Sequence, residues 1–515
     1  MVVLVGMIGC EAARAGDVPA ARAVPNWYGR SLVKAYVGRP QAPKPVAGTP
    51  PPQHPYMAAH GANNMHGDSY ASGTYAASGP LGKNPTVTSA AYAPLGGLCA
   101  ALTFDARGRI VTVCGGFSAF NLRVLDPRTL GEYTSLKLPP RASTWQAALT
   151  FDLQKIFTDT SGGAYFFLDN RDRIVLVDAH QTLRIIGIHE TEQGLKLVDE
   201  ASYPLAGYLS QRDCFSFPHH LFPRGRCDAV TAVLPDWDGY YWWVSRYGIV
   251  GTVDPATGTV RTIQLDGEEI QNSFAVAAGG VYIVSDYAMY GFRRGSDGTP
   301  RVKWREAYTR AAAARPGQIN LGSGTSPTLI GDDLVVIADG ADPTDVLFIN
   351  RTPDFTAHRT LCKVPVFEKG HSATDNSLIG FGNSVIVENN YGYRNFTSLL
   401  FGKATVGGIA RVDISEDRSH CRTIWVSHER APSCVPKLSR RNGLVYVYTK
   451  DPQPWGVDAW YFTAIDFETG RTVYKVLTGT GWGYDNLWAP ITIGPDGTGY
   501  SGVFNGLVAV RDEAP

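Results

Sequence analysis

The sequence predicts an all-β protein that folds as a single β-propeller of seven or eight four-stranded blades behind an irregular N-terminal extension. The first observation is length, because 515 residues exceed one ordinary core and require several domains or a repeated unit. The second is composition: 44% hydrophobic and 18% charged residues, with 56 Gly and 33 Pro, suit short strands joined by tight turns. The third is a strand and turn pattern that recurs about every 40 to 50 residues from Leu98 onward.

The first sixteen residues have the pattern of a signal or lipoprotein leader. Residues 1–10 are apolar and end in Met7-Ile8-Gly9-Cys10, which is similar to the bacterial lipobox, whose cysteine becomes a lipidated N-terminus. The basic segment expected before such a run is missing. We expect an exported protein that is periplasmic, secreted or a cell-surface lipoprotein. Any membrane contact would be through lipid on Cys10, because no later stretch has the roughly 18 apolar residues of a membrane span.

Two segments are expected to precede the repeats. Seven prolines fall between Pro40 and Pro55, a density that prevents helix and sheet and predicts an extended Pro-rich linker over residues 17–59. Residues 60–97 are rich in Gly, Ser, Ala, Asn and Tyr without clear periodicity. They predict an irregular extension over the propeller, which would itself occupy residues 98–515.

The repeats share an order of strands and turns that is typical of propeller blades. The second strands are apolar and β-branched, and the third strands end in Asp, twice before a Thr-Gly turn at Thr257-Gly258 and Thr469-Gly470. The last repeat, at residues 486–512, lacks an outer strand, which residues 86–92 are expected to supply so that the ring closes without an exposed edge. The repeats begin near Leu98, Trp145, Asp228, Gln271, Gly322, Ser372, Ser433 and Asn486.

Seven cysteines follow Cys10, and in an oxidising compartment their short separations favour local disulfides with one thiol left over. None of the spacings is a C-x-x-C pair, which argues against a structural zinc or a thioredoxin-like redox site. The candidate pairs are Cys214 with Cys227, Cys99 with Cys114, and Cys421 with Cys434.

The D-x-x-T-G turns and G-x-V-Y-V strands resemble the PQQ-like, or quinoprotein-like, β-propeller superfamily over most of residues 98–512. The resemblance implies the fold and, for the enzymes of that superfamily, oxidoreductase activity with a quinone held above calcium. Those enzymes carry a vicinal Cys-Cys pair and regular Trp-docking repeats, whereas in this sequence no two cysteines are adjacent and only Trp304 and Trp425 lie late in a blade. These departures argue against bound pyrroloquinoline quinone (PQQ), so the resemblance predicts fold rather than activity.

A site is expected where the innermost strands begin and the second strands end, because both emerge on one face beside the channel. The sixth repeat is the richest there, with polar residues at 371–376 and 388–393. Imidazole and carboxyl groups exchange protons near neutral pH, which makes His66, His371 and Asp375 the catalytic candidates. The ligand-binding candidates, which offer amides and aromatic rings, are Asn272, Asn376, Asn389, Tyr391 and Trp488.

Glu388 and Asn390, with Asp339, are candidate ligands for Ca²⁺, because hard cations prefer carboxylate and amide oxygens. Asp and Asn also end strands and cap turns, and this alternative accounts for the positions without a metal.

The sequence lacks the residues that several other kinds of functional site require. Lys plus Arg and Asp plus Glu both number 47 without a basic run interleaved with aromatics, which excludes nucleic acid as a partner. No G-x-S-x-G elbow occurs in a strand-turn-helix context, and residues 322–325, which are Gly-rich, have no following helix, so neither a serine triad nor a phosphate loop is expected. The aromatic residues 240–243 are expected to be core between blades rather than a sugar platform.

Two hypotheses for function remain. In the first, which the sequence favours, an exported or lipid-anchored propeller binds a small-molecule or protein ligand through its polar channel face. In the second, it is an enzyme that acts on a small organic substrate in the channel. A PQQ-like oxidoreductase is the first choice, and a lyase or hydrolase that uses His and carboxylate groups is the second. The analogy behind the second is one of fold alone.

Overall fold

Eight β-sheets follow one another along the chain of the computed structural model and form the blades of a propeller. The structure describes residues 18–60, 62–93, 97–115, 120–141, 143, 159–209 and 227–513. Among these residues, seven sheets have four strands and one has six, and within each blade successive strands pair antiparallel. The all-β propeller is confirmed, with eight blades. The leader, Cys10 and Trp145 lie outside the described residues.

The blades are numbered in chain order from the one that begins at Leu98. Blades 1 to 4 contain Leu98–Phe104, Ile110–Gly115, Phe120–Leu125 and Glu132–Leu138; Phe167–Leu168, Ile174–Val177, Thr182–Thr191 and Gly194–Pro204; Val230–Pro235, Tyr241–Ser245, Ile249–Val253 and Val260–Gln264; and Ala275–Ala277, Gly280–Val284, Ala288–Arg294 and Pro300–Ala307. Blades 5 to 8 contain Thr328–Ile330, Leu334–Ala338, Asp345–Asn350 and Thr360–Pro365; Ile379–Phe381, Ser384–Glu388, Ile409–Ile414 and Cys421–Ser427; Lys437–Ser439, Leu444–Lys450, Ala459–Asp466 and Thr472–Thr480; and Ile491–Ile493, Gly499–Val503 and Gly506–Asp512. Three further strands, Tyr36–Gly38, Thr74–Tyr75 and Pro85–Ala91, come from the extension, and the described residues also form the short 3₁₀ helices Arg30–Leu32, Ala206–Tyr208, Phe396–Leu399 and Trp482–Tyr484.

Burial falls from the innermost strand of each blade to the outermost. In blade 3 every residue of Tyr241–Ser245 is buried, whereas in Val260–Gln264 only the first is. Trp242 and Trp243 are both fully buried although they point to opposite faces, because each face of a blade packs against a neighbouring blade. The aromatic run is therefore core, as expected. The Asp that ends a third strand shapes the next turn, since Asp126 accepts the backbone N–H groups of Arg128 and Thr129 at 2.9 and 2.7 Å.

The N-terminal extension packs against the propeller at several places. Tyr36–Gly38 pairs with the outermost strand of blade 7, and the backbone of Val46 bonds to that of Arg440 near a turn between the first two strands of the same blade. The segment predicted as a linker is thus extended but lies on the propeller. An exposed strand edge and a turn of blade 7 supply hydrogen-bond partners for its backbone. Pro85–Ala91 pairs with Gly506–Asp512 and completes blade 8, which confirms the predicted ring closure.

Residues 57–60 and 62–75 of the extension run inside the ring and are called the plug from this point on. The plug crosses the open edges of the innermost strands, whose N–H groups would otherwise lack partners. In blade 2 the Leu168 N–H donates to the Asn63 carbonyl at 2.9 Å. The remaining bonds run from the N–H groups of Val276, Leu329, Gly380, Leu438 and Arg440 to the carbonyls of Ser69, Tyr70, Ser72, Gly73 and Tyr75, at 2.7 to 3.0 Å. The plug therefore lies along the inner strands of the ring, whereas other parts of the extension pair with outer strands.

Two disulfides are present among the described residues. Cys99–Cys114 joins the first two strands of blade 1, as predicted. Cys362–Cys421 joins the outermost strands of blades 5 and 6, so the predicted pairing of Cys421 with Cys434 is wrong, and Cys434 is a buried free thiol. The outermost strands of adjacent blades lie side by side, which lets distant cysteines meet. Cys227 is disulfide-bonded, while its predicted partner Cys214 lies outside the described residues.

Removal of the inter-blade disulfide is expected to cost more stability than removal of the local one. In the chain-entropy description, a bridge that closes 59 residues stabilises the folded state by about 4 kcal/mol and one that closes 15 residues by about 3 kcal/mol. Urea unfolding of the double variants C362A/C421A and C99A/C114A in non-reducing buffer measures both losses. Wild-type protein with and without reductant is the control, and a larger loss for the local pair would contradict the loop-length argument.

Candidate functional site

The innermost strands begin and the second strands end on one face of the propeller, which we call the upper face. The turns between first and second strands lie on the opposite, lower face, where residues 41–56 of the extension also run: Ala47, for example, lies beside the turn residue Gly382. The plug closes the channel from the lower side. Polar side chains that precede the innermost strands gather above it, and this group is the candidate site.

His66 of the plug lies within this group and is 4% exposed. Its position is set by two backbone bonds, from its own N–H to Asn64 Oδ1 at 2.8 Å and from Gly73 N–H to its carbonyl at 2.9 Å. The ring nitrogen Nε2 lies 3.1 Å from Ser326 Oγ, and the ring lies 5.7 Å from that of Tyr165. Burial, and to a lesser extent the charge of Lys437, lowers the pKa of His66 to about 3. The imidazole is therefore neutral, so one ring nitrogen donates a hydrogen bond and the other accepts one.

Asp375 lies in the same region and is buried in the loop before the innermost strand of blade 6. Neither carboxylate oxygen has a hydrogen-bond partner of good geometry among the described residues. Burial raises the pKa of Asp375 to about 8, and the backbone N–H of Ile319 offsets only part of that rise. A Cβ atom on Gly324 would lie on top of Asp375 Oδ1, so only glycine lets this loop approach the carboxyl group.

Asn376, Glu388 and Asn390 form a hydrogen-bonded row next to Asp375. Asn376 Nδ2 donates to Glu388 Oε2 at 3.0 Å, and Asn390 Nδ2 donates to Glu388 Oε1 at 2.9 Å. Asn390 Oδ1 accepts from the backbone N–H of Asp375 at 2.9 Å, which links the row to the carboxyl group. Burial raises the pKa of Glu388 well above its usual range against the lowering effect of both amides. The buried Oδ1 of Asn376 has no partner among the described residues.

Of the three predicted calcium ligands, only Asp339 keeps a buried carboxylate oxygen, Oδ2, without a partner in the described chain. Both oxygens of Glu388 accept amide N–H groups, and Asn390 already uses its amide oxygen. Asp339 caps its own turn by accepting the N–H groups of Ala341 and Asp345, both at 2.9 Å. Among the described residues, no group of three His, Cys, Asp or Glu side chains is close enough to hold a metal. The arrangement fits the turn-capping alternative better than calcium.

The other predicted residues lie nearer the upper surface. The His371 side chain is 50% exposed and packs edge-on against Tyr391, with ring centroids 5.3 Å apart. Asn389 holds this loop, because its Nδ2 donates to the His371 carbonyl at 2.8 Å while its Oδ1 accepts from Ala373 N–H at 3.1 Å. Trp488 packs edge-on against Tyr393, with ring centroids 4.7 Å apart. None of these four predicted residues is linked to His66 or Asp375 by a hydrogen bond that the described residues show.

Asn272 is the one predicted ligand-binding residue that extends the buried group to blade 4. Its Oδ1 accepts the Tyr165 hydroxyl at 3.0 Å, and its Nδ2 donates to the Gly324 carbonyl. Burial raises the pKa of the Tyr165 phenol, and the nearby Asp375 carboxylate raises it further. Tyr165 therefore contacts His66 and Asn272 and lies within the electrostatic reach of Asp375.

Sequence reasoning missed Lys437 and Tyr165. Lys437 is 1% exposed in the innermost strand of blade 7, and burial lowers its pKa to about 8. A lysine in a short strand with buried neighbours was the available signal, because lysine is almost never fully buried unless it is paired or functional. Tyr165 lies two residues before an innermost strand, a position where amides and acids were the expected site residues. Both residues bring hydrogen-bond donors to the candidate site.

Comparison with known proteins adds one distant relative and several propellers of low similarity. No protein-family model matches the chain. A protein of Archaeoglobus fulgidus described as uncharacterized is 26% identical over 314 residues, which cover 54% of this chain and 60% of the relative. The chain thus matches less than two thirds of that relative's length.

Among solved structures, a streptogramin B lyase gives a TM-score of 0.38 at 11% identity and covers 83% of this chain and 98% of its own. BamB from Moraxella catarrhalis gives 0.31 at 13%, covering 56% and 84%, and the computationally designed Ika8 protein gives 0.42 at 13%, covering 82% and 98%. At these scores the likenesses carry no argument about activity. The strands of the chain itself make it an eight-bladed β-propeller whose channel is plugged by its own N-terminal extension.

Proposed function

We propose that the protein is an exported β-propeller that binds a small polar molecule in its channel, above the plug. The observation that carries the proposal is Asp375, a buried carboxyl group without a well-aligned protein partner in the described chain and surrounded by hydrogen-bonding side chains. An unsatisfied buried polar group costs about 1 to 3 kcal/mol, and a ligand that supplies N–H or O–H groups removes that cost. Burial of the group also excludes a flat protein surface as the partner at this point.

The ligand is expected to be rich in hydrogen-bond donors. Buried acceptor oxygens of the loops before the innermost strands that have no partner in the described chain include both oxygens of Asp375, Oδ1 of Asn376 and Oδ2 of Asp485. A small polyol or amine matches them. Entry from the upper face follows from the plug, which occupies the channel on the lower side.

Export is supported by the apolar residues 1–10 and by the disulfides, which persist in oxidising compartments. No helix among the described residues is long and apolar enough to cross a membrane. Anchoring through lipid on Cys10 remains part of the proposal.

A second candidate function is acid–base catalysis on a small organic molecule in the same place. Lys437 favours it, because a buried amine with a pKa of about 8 is partly unprotonated near neutral pH and acts as a base. The positive charge of Lys437 also lowers the pKa of His66, so the two groups are close enough to interact. A lyase or hydrolase would use these two groups, whereas the absent vicinal cysteines still argue against a quinone oxidoreductase.

Binding of an amine at Asp375 is expected to release a proton, because the protonated carboxyl group must ionise to pair with an ammonium group. Calorimetric titration of D-glucosamine and D-glucose at pH 6 to 7, in buffers of different ionisation enthalpy, measures the affinity and the proton count. Wild type is expected to release about one proton with the amine, and D375N none with at least about tenfold weaker binding.

The matched control is D238N, because the Asp238 side chain is 74% exposed on blade 3. It should behave as wild type. Equal affinity and proton release for wild type and D375N would contradict the proposed site. Turnover of a bound probe that is lost in K437M but not in D375N would favour the catalytic function.

A further inference from the structure

We propose that the lower face carries a second ligand site, which takes a small monocarboxylate with an apolar body. The site is a cavity of about 220 Å³ between the extension and blades 1, 7 and 8. We call it the lower cavity. Its lining includes Asn63, Ser69, Phe104, Arg440, Ile493 and Pro495.

Arg440 supplies the positive charge of the lower cavity. Its backbone is fixed by the bond to the Tyr75 carbonyl at 3.0 Å, and its guanidinium lies 5.4 Å from the Phe381 ring. The buried Nε has no hydrogen-bond partner in the described chain. A guanidinium keeps its charge in proteins and binds carboxylates through paired N–H groups, so this group is suited to an oxyanion.

The nearest acid does not neutralise Arg440 by direct contact. Asp68 acts on it only through space, while its own carboxylate accepts the N–H of Tyr70 at 3.0 Å, the N–H of Ser72 at 3.1 Å and the Ser72 hydroxyl. These bonds hold the plug rather than Arg440. The Arg440 guanidinium in the cavity therefore makes no hydrogen bond to Asp68 and can bind a ligand.

The two histidines that line the lower cavity add no second free charge. His60 Nε2 pairs with Asp172 Oδ1 at 2.7 Å, and this bond raises the pKa of His60. His54 is neutral, because burial lowers its pKa to about 3. A ligand with one negative charge therefore matches the lining better than a dianion.

Two buried polar atoms point to a ligand independently of Arg440. Ser69 and Asn63 are 2% and 4% exposed, and Ser69 Oγ and Asn63 Oδ1 have no partners in the described chain. A serine hydroxyl can donate to a carboxylate, and the amide oxygen requires a donor such as a ligand hydroxyl. Phe104, Ile493 and Pro495 give the rest of the lining an apolar character. A hydroxylated aromatic or aliphatic monocarboxylate meets all of these groups.

Titration of the whole chain with 4-hydroxybenzoate at pH 7 tests the proposal, with neutral 4-hydroxybenzamide as the isosteric probe. Saturable binding of the acid is expected, and the amide should bind at least about tenfold more weakly, since a charge-assisted bond contributes about 1.5 to 3 kcal/mol. R440Q should lose the same factor for the acid. R107Q is the matched control because the Arg107 side chain is 64% exposed outside the cavity, and it should bind as wild type.

A second variant keeps the test decisive if R440Q does not fold. Ala59 is exposed and lines the cavity, so A59F should fill the space and abolish binding while the melting temperature is retained. D375N should bind 4-hydroxybenzoate as wild type, which separates this site from the one above the plug. No saturable binding up to about 10 mM, equal binding of acid and amide, unchanged binding in R440Q or A59F, or binding of inorganic phosphate alone would each overturn the proposal.

Discussion

Replacement of Tyr75 by alanine is expected to destabilise the propeller by about 3 to 5 kcal/mol, because a large buried aromatic side chain would leave a cavity. Tyr75 is 4% exposed at the end of the plug, where it packs with blades 6 to 8, although it belongs to the extension. If the plug were an accessory cover, the same change would be almost neutral. Urea unfolding of Y75A against wild type measures the difference, which should move the midpoint without a change in slope.

The matched control for Y75A is Y28A, which removes a tyrosine of the same extension that is 61% exposed. Its hydrogen bond, from the hydroxyl to the Gly456 carbonyl at 3.0 Å, is at the surface, so a loss within about 1 kcal/mol is expected. Equal losses for the two variants would mean that the plug contributes no more than surface contacts. A change confined to a separate early transition would mean that the plug unfolds independently of the ring.

The blades could be predicted from sequence because their signals are local. A strand, a turn and a second strand lie within about 20 residues, and the apolar and β-branched runs repeat at blade spacing. The outer strand of blade 8 was also predictable, because the last repeat lacked one and only the N-terminal region could supply it.

The plug could not be predicted in the same way. It binds through backbone carbonyls to the open edges of inner strands, and backbone bonds leave no mark in side-chain pattern. The run from Asn63 to His66 is mostly polar and would be placed at the surface, yet it is buried because the ring surrounds it. Pairing of Cys362 with Cys421 was missed for a related reason: contact between outer strands of different blades is a tertiary feature.

The sequence predicts which candidate residues lie together where one blade contributes all of them. Asp375, Asn376, Glu388 and Asn390 meet because the start of one strand and the end of the next are adjacent in blade 6. Asp339 does not join them, because the carboxyl group turns back to cap its own loop. Whether a side chain from another blade joins the candidate site depends on the path of the plug and on how far each loop lies from the channel axis. Neither feature is set by a local sequence pattern.

The stability of the protein is expected to fall as pH rises from about 4 to 8, and D375N is expected to remove a large part of that fall. Burial raises the pKa of Asp375 to about 8 in the folded state, whereas an unfolded Asp titrates near 4. Between these values the unfolded chain has lost a proton that the folded chain keeps, so rising pH favours unfolding by about 1.4 kcal/mol per unit. The whole effect is on the order of 5 kcal/mol and is complete above about pH 8.

An asparagine side chain at this position has no proton to lose, so D375N is expected to match wild type near pH 4 and to exceed its stability by several kcal/mol near pH 8. Burial also raises the pKa of Asp485 to about 7 and of Asp339 to about 6, but these groups are present in both proteins and cancel in the difference. The lowered pKa of Lys437 acts with the opposite sign and only above about pH 8. Urea midpoints of wild type, D375N and the exposed control D238N at each pH give the curve, and a difference that stays flat from pH 4 to 8 would show that Asp375 is ionised in the folded protein.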